Sequence, residues 1–397
     1  MSDTKKLFLL DAMALIYRAH FAFSKTPRIT STGINTSAVL GFTNSLLEVL
    51  NKEKPTHIGV AIDTAAPTFR HTNFEQYKAN RQEQPEDISI AIPYIKRLLE
   101  CMQIPLIGLD GFEADDVIGT LSARACKQGF QVYMMTMDKD YSQLVNDCVF
   151  LYKPSYMGNG HEVYDVKRVL EKFGIKRVDQ VRDILGLQGD TVDNIPGIPG
   201  IGEKTAQKLI AEFDTVENLV ANAELLKGKL KENVIQFGAQ GILSKELATI
   251  HLNVPIEFNE DDFLIKEPFK DPLSALCDEL EFRTIKKRIL GEGNDQEVQR
   301  AETIKPKKKK DEAQMDMFGG AAEVAVEEES AEEQVSLDTV NTVVHDYHII
   351  NTPALINSLI AYLDKQEEFC FDTETTSLEA VEAKLVGIAF SYYKGEA

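Results

Sequence analysis

Acidic side chains follow several short apolar runs of the sequence, at the point where each run gives out. Asp11 ends the first run, Asp63 ends a run that begins at His57, and Asp138 ends a run that begins at Gln131. Short, continuously apolar runs are typical of buried parallel strands. Ligands of an open parallel sheet bind outside the carboxyl ends of its strands, so we expect the three aspartates to converge at one edge.

More carboxylates are expected at the same edge. In GFEADDV, Glu113 and Asp116 share one face of a predicted helix, and Asp115 lies in the same first turn. Asp140 follows Asp138 after one lysine. Crowded carboxylates repel one another unless cations neutralise them. Oxygen ligands without Cys or His partners select Mg²⁺ or Mn²⁺ over zinc, and two such ions suit phosphoryl transfer.

Each of these acidic residues has a plainer explanation when it is taken alone. A single Asp at a strand end is more often a helix cap or a turn residue. The DKD sequence at 138–140 could be a turn, and EADD could be only a favourable first helical turn. Three strand ends together with that helix argue against coincidence, so a metal site is the favoured interpretation.

A glycine-rich turn precedes a predicted helix within residues 186–210, GLQGDTVDNIPGIPGIGEKTAQKLI. Glycines let backbone N–H groups approach a phosphate closely, and a helix N-terminus favours an anion. With two prolines and three interleaved isoleucines, the turn resembles the helix-hairpin-helix motif, which grips a DNA backbone without reading bases. Asp190 and Asp193 just before it could join the metal site or cap the hairpin. The predicted DNA contacts of the turn are Gly197, Gly200, Gly202 and Lys204.

Cations and aromatic residues are interleaved at positions 67–85. Cations meet phosphates and aromatic rings stack on unpaired bases, as expected where single-stranded nucleic acid passes. An ordinary solvated helix with aromatic anchors explains this segment about equally well, and His71 alone is more often a surface or structural histidine. The residues in question are Phe69, Arg70, His71, Phe74, Tyr77, Lys78 and Arg81.

The elements that would position these residues form an α/β fold with a mostly parallel sheet. Strands are predicted at 7–11, 57–63, 104–109 and 131–138, and helices at 89–103 and 112–129. Helical, charged sequence dominates afterwards, which predicts a helical subdomain packed on the sheet. The predicted domains are a core at 1–170, a helical subdomain at 171–290, a linker at 291–340 and a further domain at 341–397. In the last of these, a strand is predicted at 346–351, a helix at 353–365 and a pair of strands at 367–380 and 384–397.

Composition and charge limit the class of protein. The net charge of −20 argues against nucleic acid at first, but residues 291–340 hold 14 acidic against 6 basic residues and resemble a charged linker. Five scattered cysteines without a CxxC pair argue against a disulfide framework and a zinc site, and favour a reducing cytoplasm. No signal peptide or long apolar run is present, so export and membrane insertion are not expected.

Six motifs together resemble the 5′-nuclease domain of bacterial DNA polymerases of type I, within the flap endonuclease family. They occur in the family's order over residues 1 to about 290 and read LLDAMALIYRAHFA, VAIDTAAPTFRH, YKANR, GFEADDVIGTLS, MDKDYSQLV and LQGDTVDNIPGIPGIGEKTA. The resemblance implies a structure-specific nuclease with a flap-endonuclease-like sheet, which cleaves DNA at 5′ flaps and nicks and removes RNA primers. It implies two or more divalent ions on Asp11, Asp63, Glu113, Asp115, Asp116, Asp138, Asp140, Asp190 and Asp193. A monomer is expected by default.

The resemblance also assigns roles to the cationic segment and the hairpin. Lys78 and Arg81 would lie in an arch-like helical gateway and contact the scissile phosphate, with Tyr77 available to stack on a base. Arg70 is predicted to contact DNA from the cationic pattern of its segment alone. Backbone carbonyls of the hairpin at 195–204 could hold a potassium ion.

The end of the chain resembles a second nuclease motif. FCFDTETTSL is similar to the first motif of a 3′ exonuclease domain, with Asp372 and Glu374 as metal ligands in a ribonuclease H-like sheet. The further acidic motifs that such a domain needs do not follow. We therefore expect an N-terminal fragment without 3′ exonuclease or polymerase activity.

Two other functions are compatible with parts of this pattern. A non-catalytic module could recognise branched DNA through the hairpin and use metals structurally, but it would gain little from negative charge where a phosphate must approach. A phosphatase with an aspartate nucleophile could use a similar sheet. It would have no evident use for the hairpin.

Overall fold

The computed structural model describes residues 5–154, 160–290, 350, 352–366, 369–375 and 384–391. The chain divides into two compact units, Met1–Gly320 and Ala321–Ala397. Strands of the first unit, within the described ranges, are β1 (Lys6–Asp11), β2 (His57–Ala61), β3 (Leu106–Ile107), β4 (Gln131–Met135), β5 (Val149–Pro154) and β6 (His161–Tyr164). Its helices there are α1 (Ala12–Ala22), α2 (Ser37–Glu48), α3 (Phe69–Asn73), α4 (Glu86–Cys101), α5 (Ala114–Lys127), α6 (Val166–Phe173), α7 (Val181–Gln188), α8 (Glu203–Phe213), α9 (Val216–Ala221), α10 (Gly228–Ala248), α11 (Glu260–Phe263), α12 (Lys270–Glu279) and α13 (Arg283–Leu290).

The strands of the first unit form one sheet in the order β3-β2-β1-β4-β5-β6. The first five strands run parallel, and β6 is antiparallel to β5. This confirms the predicted α/β class and mostly parallel sheet. The four predicted strands are present, although β3 spans only two residues, and β5 and β6 were not predicted.

Helices cover both faces of the sheet, which explains why its strands are continuously apolar. Side chains alternate along β1: Leu7 and Leu9 belong to the core cluster that includes Val117 of α5. Phe8 and Leu10 belong to the opposite cluster, which contains residues of α1, α2 and α4. The predicted helices at 89–103 and 112–129 correspond to α4 and α5.

The helical region after β6 contains α7 to α10, and the long helix α10 packs against α7 and α9. The chain then returns to the sheet, because Leu273 and Leu276 of α12 belong to the same core cluster as Ile95 and Leu99 of α4. The last helices before residue 290 therefore pack on the predicted core. The domain boundaries at 170 and 290 stay predictions.

The second unit contains one helix, α14 (Pro353–Leu363), and two antiparallel strands, β7 (Cys370–Thr375) and β8 (Leu385–Ser391), among its described residues. The helix and the strand pair were predicted from the sequence. The predicted linker at 291–340 and most of the predicted strand at 346–351 lie outside the described residues.

The cysteine pattern argued against a disulfide framework and did not indicate the single bridge that the structure contains. Cys126, at the end of α5, and Cys148, just before β5, form a disulfide whose Cα atoms are 5.8 Å apart. These residues are brought together because α5 packs on the sheet beside β4 and β5, a contact that linear spacing does not reveal. In the described part of the chain, no helix is long and apolar enough to span a membrane.

Candidate active site

Asp11 lies where β1 passes into α1, and it is almost fully buried. Its Oδ1 accepts from the Ala14 backbone N–H at 3.1 Å and caps the helix. Its Oδ2 accepts from Thr136 Oγ1 at 3.0 Å and from the Tyr141 hydroxyl at 3.2 Å. Burial, followed by repulsion from Asp63, raises the pKa of Asp11 to about 6.

The loops after β2 and β4 bring further aspartates to this edge of the sheet. Asp63 Oδ1 accepts from the Ala114 N–H at 2.8 Å and so joins the loop after β2 to the start of α5. Asp138 Oδ1 accepts from the Asp140 N–H at 2.9 Å. Burial and repulsion from Asp138 raise the pKa of Asp140 well above its usual value, and the buried Asp140 Oδ1 has no hydrogen-bond partner.

Asp115 lies at the start of α5. Its pKa is raised well above the usual value for an aspartate, first by burial. Repulsion from Asp116 and Glu113 raises it further, while Arg70 opposes the shift. A carboxylate in this position gains from a neutralising cation.

Asp116, beside it, has a different environment. The fully buried Arg70 donates to both of its oxygens, from Nη1 at 2.8 Å and from Nη2 at 2.9 Å. The His251 backbone N–H donates to Asp116 Oδ1 at 2.7 Å, and the Glu113 N–H donates to Oδ2 at 3.1 Å. Both oxygens are therefore occupied by protein donors, which argues against Asp116 as a direct metal ligand.

Arg70 also fastens α3 to the end of α10. Its Nε donates to the Leu247 carbonyl and its Nη2 to the Thr249 carbonyl, each at 2.9 Å. With 1% of its surface exposed, Arg70 cannot reach DNA in this structure, so its predicted DNA contact is replaced by a positioning role. The sequence pattern could not show this because a cationic segment is compatible with either role.

The other cations of this segment lie against carboxylates. Lys78 Nζ is 2.8 Å from Glu113 Oε1, and Arg81 Nη2 is 2.5 Å from Asp193 Oδ1. Burial would raise the pKa of Asp193, but Lys78 and Arg81 outweigh it and hold the pKa below its usual value. The Tyr77 hydroxyl donates to Glu113 Oε2 at 3.0 Å.

Tyr77 is 3% exposed, which argues against its predicted stacking on a base in this conformation. The expected arch-like helical gateway is also not formed: helix α3 ends at Asn73, and turns follow it. His71 accepts a hydrogen bond from the Thr68 N–H at 3.2 Å and caps α3, so its role is structural.

Asp190 belongs to the edge of the site. Its Oδ2 is 3.0 Å from Lys139 Nζ, and its Oδ1 accepts from the Val192 N–H at 2.8 Å. The second contact closes a turn before the hairpin, which matches the capping alternative. The sequence did not single out Lys139, Thr136 or Tyr141, because their types and spacing carry no pattern of their own.

The nine predicted acidic residues therefore fall into two groups. Among the described residues, no three acidic, His or Cys side chains stand close enough to hold one metal ion as they are placed. Four of the nine have a cationic partner in the described ion pairs, namely Glu113, Asp116, Asp190 and Asp193. The other five, the unpaired carboxylates, are Asp11, Asp63, Asp115, Asp138 and Asp140.

The unpaired carboxylates fit divalent metal ions by their chemistry. They supply only hard oxygen donors. Burial and repulsion between carboxylates raise the pKa values of Asp11, Asp115 and Asp140, and the buried Oδ1 of Asp140 has no hydrogen-bond partner, so a bound cation would be favourable at these three residues.

The glycine-rich turn joins α7 to α8, as the hairpin motif requires. Its three isoleucines are buried, which fixes the turn against the helices. Gly197 has a φ of 61°, and a Cβ there would lie 2.5 Å from the Gly189 nitrogen. Gly200 has a φ of 80°, whereas Gly202 caps α8 and faces open space. Lys204 is exposed in the first turn of α8.

Asp372 and Glu374 lie on β7 of the second unit. Asp372 is exposed, and its Oδ1 accepts from the Thr373 N–H at 2.9 Å. Their predicted role as the first motif of a 3′ exonuclease stays a prediction.

Family models match most of the first unit. The 5′-3′ exonuclease N-terminal resolvase-like domain matches residues 6–174, and the 5′-3′ exonuclease C-terminal SAM fold matches residues 176–271. Together these matches cover more than half of the chain. The chain belongs to the 5′-3′ exonuclease family. The family match assigns the carboxylate edge to its first domain and the glycine-rich hairpin to its second.

Relatives of this 5′-3′ exonuclease family member are bacterial DNA polymerases. The chain is 41% identical over 291 residues to DNA polymerase I of Bacillus subtilis, covering 73% of this chain and 33% of that protein. It is 34% identical over 419 aligned residues to DNA polymerase I of Synechocystis, covering 97% of this chain and 42% of that protein. The chain thus spans less than half the length of these relatives and corresponds to their N-terminal part.

Solved structures share the fold. T5 5′-exonuclease with bound divalent zinc ions matches with a TM-score of 0.52 at 20% identity, over 72% of this chain and 98% of that chain. A T5 flap endonuclease complex with DNA and metal ions matches with a TM-score of 0.51, also at 20% identity and over the same shares of the two chains. At this identity the matches show a flap-endonuclease-like fold.

Proposed function

We propose that the chain is a structure-specific 5′ nuclease that hydrolyses phosphodiesters of DNA at 5′ flaps and nicks and removes RNA primers. The observation that carries this proposal is the group of five unpaired carboxylates at the carboxyl edge of the sheet, directly beside the cations Lys78 and Arg81. The family match and the polymerase relatives support a role in DNA replication and repair. Action in the cytoplasm and as a monomer is part of the same proposal.

Mg²⁺ or Mn²⁺ is the proposed cofactor, with two or more ions held by the unpaired carboxylates. Such ions, when bound, lower the pKa of a water molecule and stabilise charge on the leaving oxygen. The solved neighbours with bound divalent ions support metal dependence. Glu113, Asp190 and Asp193 remain candidates for outer contacts, because each already has a cationic partner.

The cations of the site would bind the phosphate that is cleaved. Lys78 and Arg81 now contact Glu113 and Asp193, which hold them beside the unpaired carboxylates. A phosphate group that enters the site would compete with Glu113 and Asp193 for these two cations, which would then stabilise its negative charge. Arg70 and Asp116 would act indirectly, since they lock the start of α5 and with it the backbone that carries Asp115.

The hairpin between α7 and α8 would bind the DNA backbone. Gly202 leaves its surface open, Gly200 is exposed beside it, and Lys204 adds a positive charge. A potassium ion on backbone carbonyls of the hairpin is part of this proposal. Asn233 already donates to the Pro199 carbonyl at 2.7 Å, and Gln240 donates to the Gly197 carbonyl at the same distance. Such an ion would therefore use other carbonyls or displace these donors.

The test compares two duplexes that differ only in the polarity of the flap, and a small phosphate ester. The purified chain is incubated with Mg²⁺ and a 5′-flapped duplex, a 3′-flapped duplex, or a small phosphate ester, with EDTA as the control. The proposal predicts Mg²⁺-dependent release of the 5′ flap, and no attack on the 3′ flap. Tight binding without cleavage would indicate a DNA-binding module instead, and turnover of the small ester would indicate a phosphatase.

A further inference from the structure

Three cations surround one aromatic ring outside the carboxylate site. Lys153 Nζ lies 5.8 Å from the centroid of the Tyr164 ring, Lys172 Nζ lies 5.0 Å from it, and the guanidinium carbon of Arg168 lies 5.7 Å from it. Tyr164 is buried, whereas Arg168 and Lys172 are exposed. We call Lys153, Arg168 and Lys172 the Tyr164 cation cluster.

The Tyr164 cation cluster lies between the carboxylate edge and the hairpin. Lys153 is near the carboxyl end of β5, which is parallel to β4 and so ends at the same edge of the sheet as Asp138. At the other end of the cluster, Gly174 directly follows α6 and approaches Gln207 of the hairpin helix α8. A DNA backbone that reaches from the cleavage site to the hairpin would pass this surface.

The charge of the cluster is not compensated by ion pairs. Among the described residues, none of its three cations has a carboxylate within 4.0 Å, whereas Lys78, Arg81 and Lys139 each do. Burial, followed by repulsion from Lys172, lowers the pKa of Lys153 to about 8.

Nearby acidic side chains offset this charge only in part. Glu162 interacts with the Tyr164 hydroxyl, and Glu203 and Glu162 act on Lys172 from a distance. Burial nevertheless keeps the pKa of Lys172 below its usual value. In a chain with a net charge of −20, cations held together without carboxylate partners form a local positive surface that attracts anions.

We infer that the Tyr164 cation cluster binds backbone phosphates of the DNA substrate between the cleavage site and the hairpin. The inference rests on the proposed function for its substrate. Tyr164 would hold the cations in place through its ring face, and the cations would contact phosphate oxygens without reading the base sequence.

The test measures DNA binding, separately from cleavage. Affinity for a 5′-flapped duplex is measured in EDTA over a range of salt concentrations, for the parent and for a Lys153→Gln/Lys172→Gln double variant. Each phosphate contact contributes roughly 0.9 to the slope of log affinity against log salt, so the slope should fall by about 2 in the double variant. Lys167→Gln is the matched control on the same helix, because Lys167 is exposed and lies near Glu171 instead of the cluster.

The outcomes separate this inference from the proposed function. A reduced slope in the double variant but not in the control supports the inference, whether or not the parent cleaves DNA. An unchanged slope and affinity in the folded double variant would overturn it, even if the parent is an active nuclease. The melting temperature shows that the variant is folded, and we expect it to be equal to the parent's or higher because mutual repulsion is removed.

Discussion

Acidic side chains of the site differ more in their partners than in their positions. The carboxylate of Asp115 has no cationic partner at ion-pair distance among the described residues, while that of its neighbour Asp116 is enclosed by Arg70 and backbone N–H groups. Two adjacent aspartates of one helical turn therefore differ in whether they need a further cation to neutralise them. Asp115 needs a cation from outside, whereas Asp116 already has one from the protein.

This difference predicts opposite effects on stability. Asp116→Asn leaves Arg70 buried with its main partner neutralised, and breaking a buried ion pair from one side costs about 3–5 kcal/mol in the free energy of unfolding. Asp115→Asn removes a repelling charge and should leave the metal-free protein equally stable or more stable. Urea unfolding in EDTA measures both. Equal losses in the two variants would contradict the division of the carboxylates into two groups.

At the scale of elements, strands that end near candidate site residues were predicted better from the sequence than strands that do not. Strands β1, β2 and β4 are continuously apolar and end near acidic residues. The apolar run and the acidic residue at its end therefore indicated the same strand. Strand β5 was missed although it is mostly buried, because no functional residue drew attention to it. The gateway was expected from the family resemblance alone, and in this structure helix α3 ends at Asn73 while Tyr77 and Lys78, in the turns that follow, contact Glu113.

The hairpin gives a prediction that separates folding from binding. Gly197→Ala forces a left-handed residue and a clash with the Gly189 backbone, so it should lower the free energy of unfolding by at least about 1–2 kcal/mol and weaken DNA binding. Gly202→Ser adds a good helix cap in open space, so stability should be kept. Its side chain would nevertheless obstruct a phosphate at the hairpin, and affinity for a flapped duplex should fall. Binding at the parent's affinity by Gly202→Ser would exclude Gly202 from the DNA contact.

At the scale of the whole molecule, function depends on bringing together residues from distant parts of the chain. The unpaired carboxylates come from four segments, at the end of β1, after β2, after β4 and at the start of α5. Residues 247–251 lie at and just after the end of α10. Their backbone groups accept hydrogen bonds from Arg70 and donate one to Asp116, which fixes both side chains in the site. The sequence predicted the convergence of the strand ends. It could not predict the return of the chain after α10, because the contacts there are made by backbone groups of Leu247, Thr249 and His251, which leave no side-chain pattern in the sequence.

Divalent ions should stabilise the folded chain if they bind these carboxylates. Mg²⁺ at 100 times its dissociation constant would add about 2.7 kcal/mol to the free energy of unfolding. Thermal unfolding with Mg²⁺ should therefore show a higher melting temperature than unfolding in EDTA with NaCl at matched ionic strength, and Asp140→Asn should reduce the difference. The same increase with NaCl alone would show only general screening of charge.

The most direct measurement is the single-turnover rate at which the chain cleaves a 5′-flapped duplex in Mg²⁺, compared with that of Asp140→Asn. Asp140 combines a raised pKa with a buried oxygen that has no partner, so it is the carboxylate with the clearest need for a metal ion. We expect the parent to release the flap and the folded variant to be slower by several orders of magnitude. Cleavage by Asp140→Asn at the parent's rate would contradict the assignment of this carboxylate edge as the catalytic metal site.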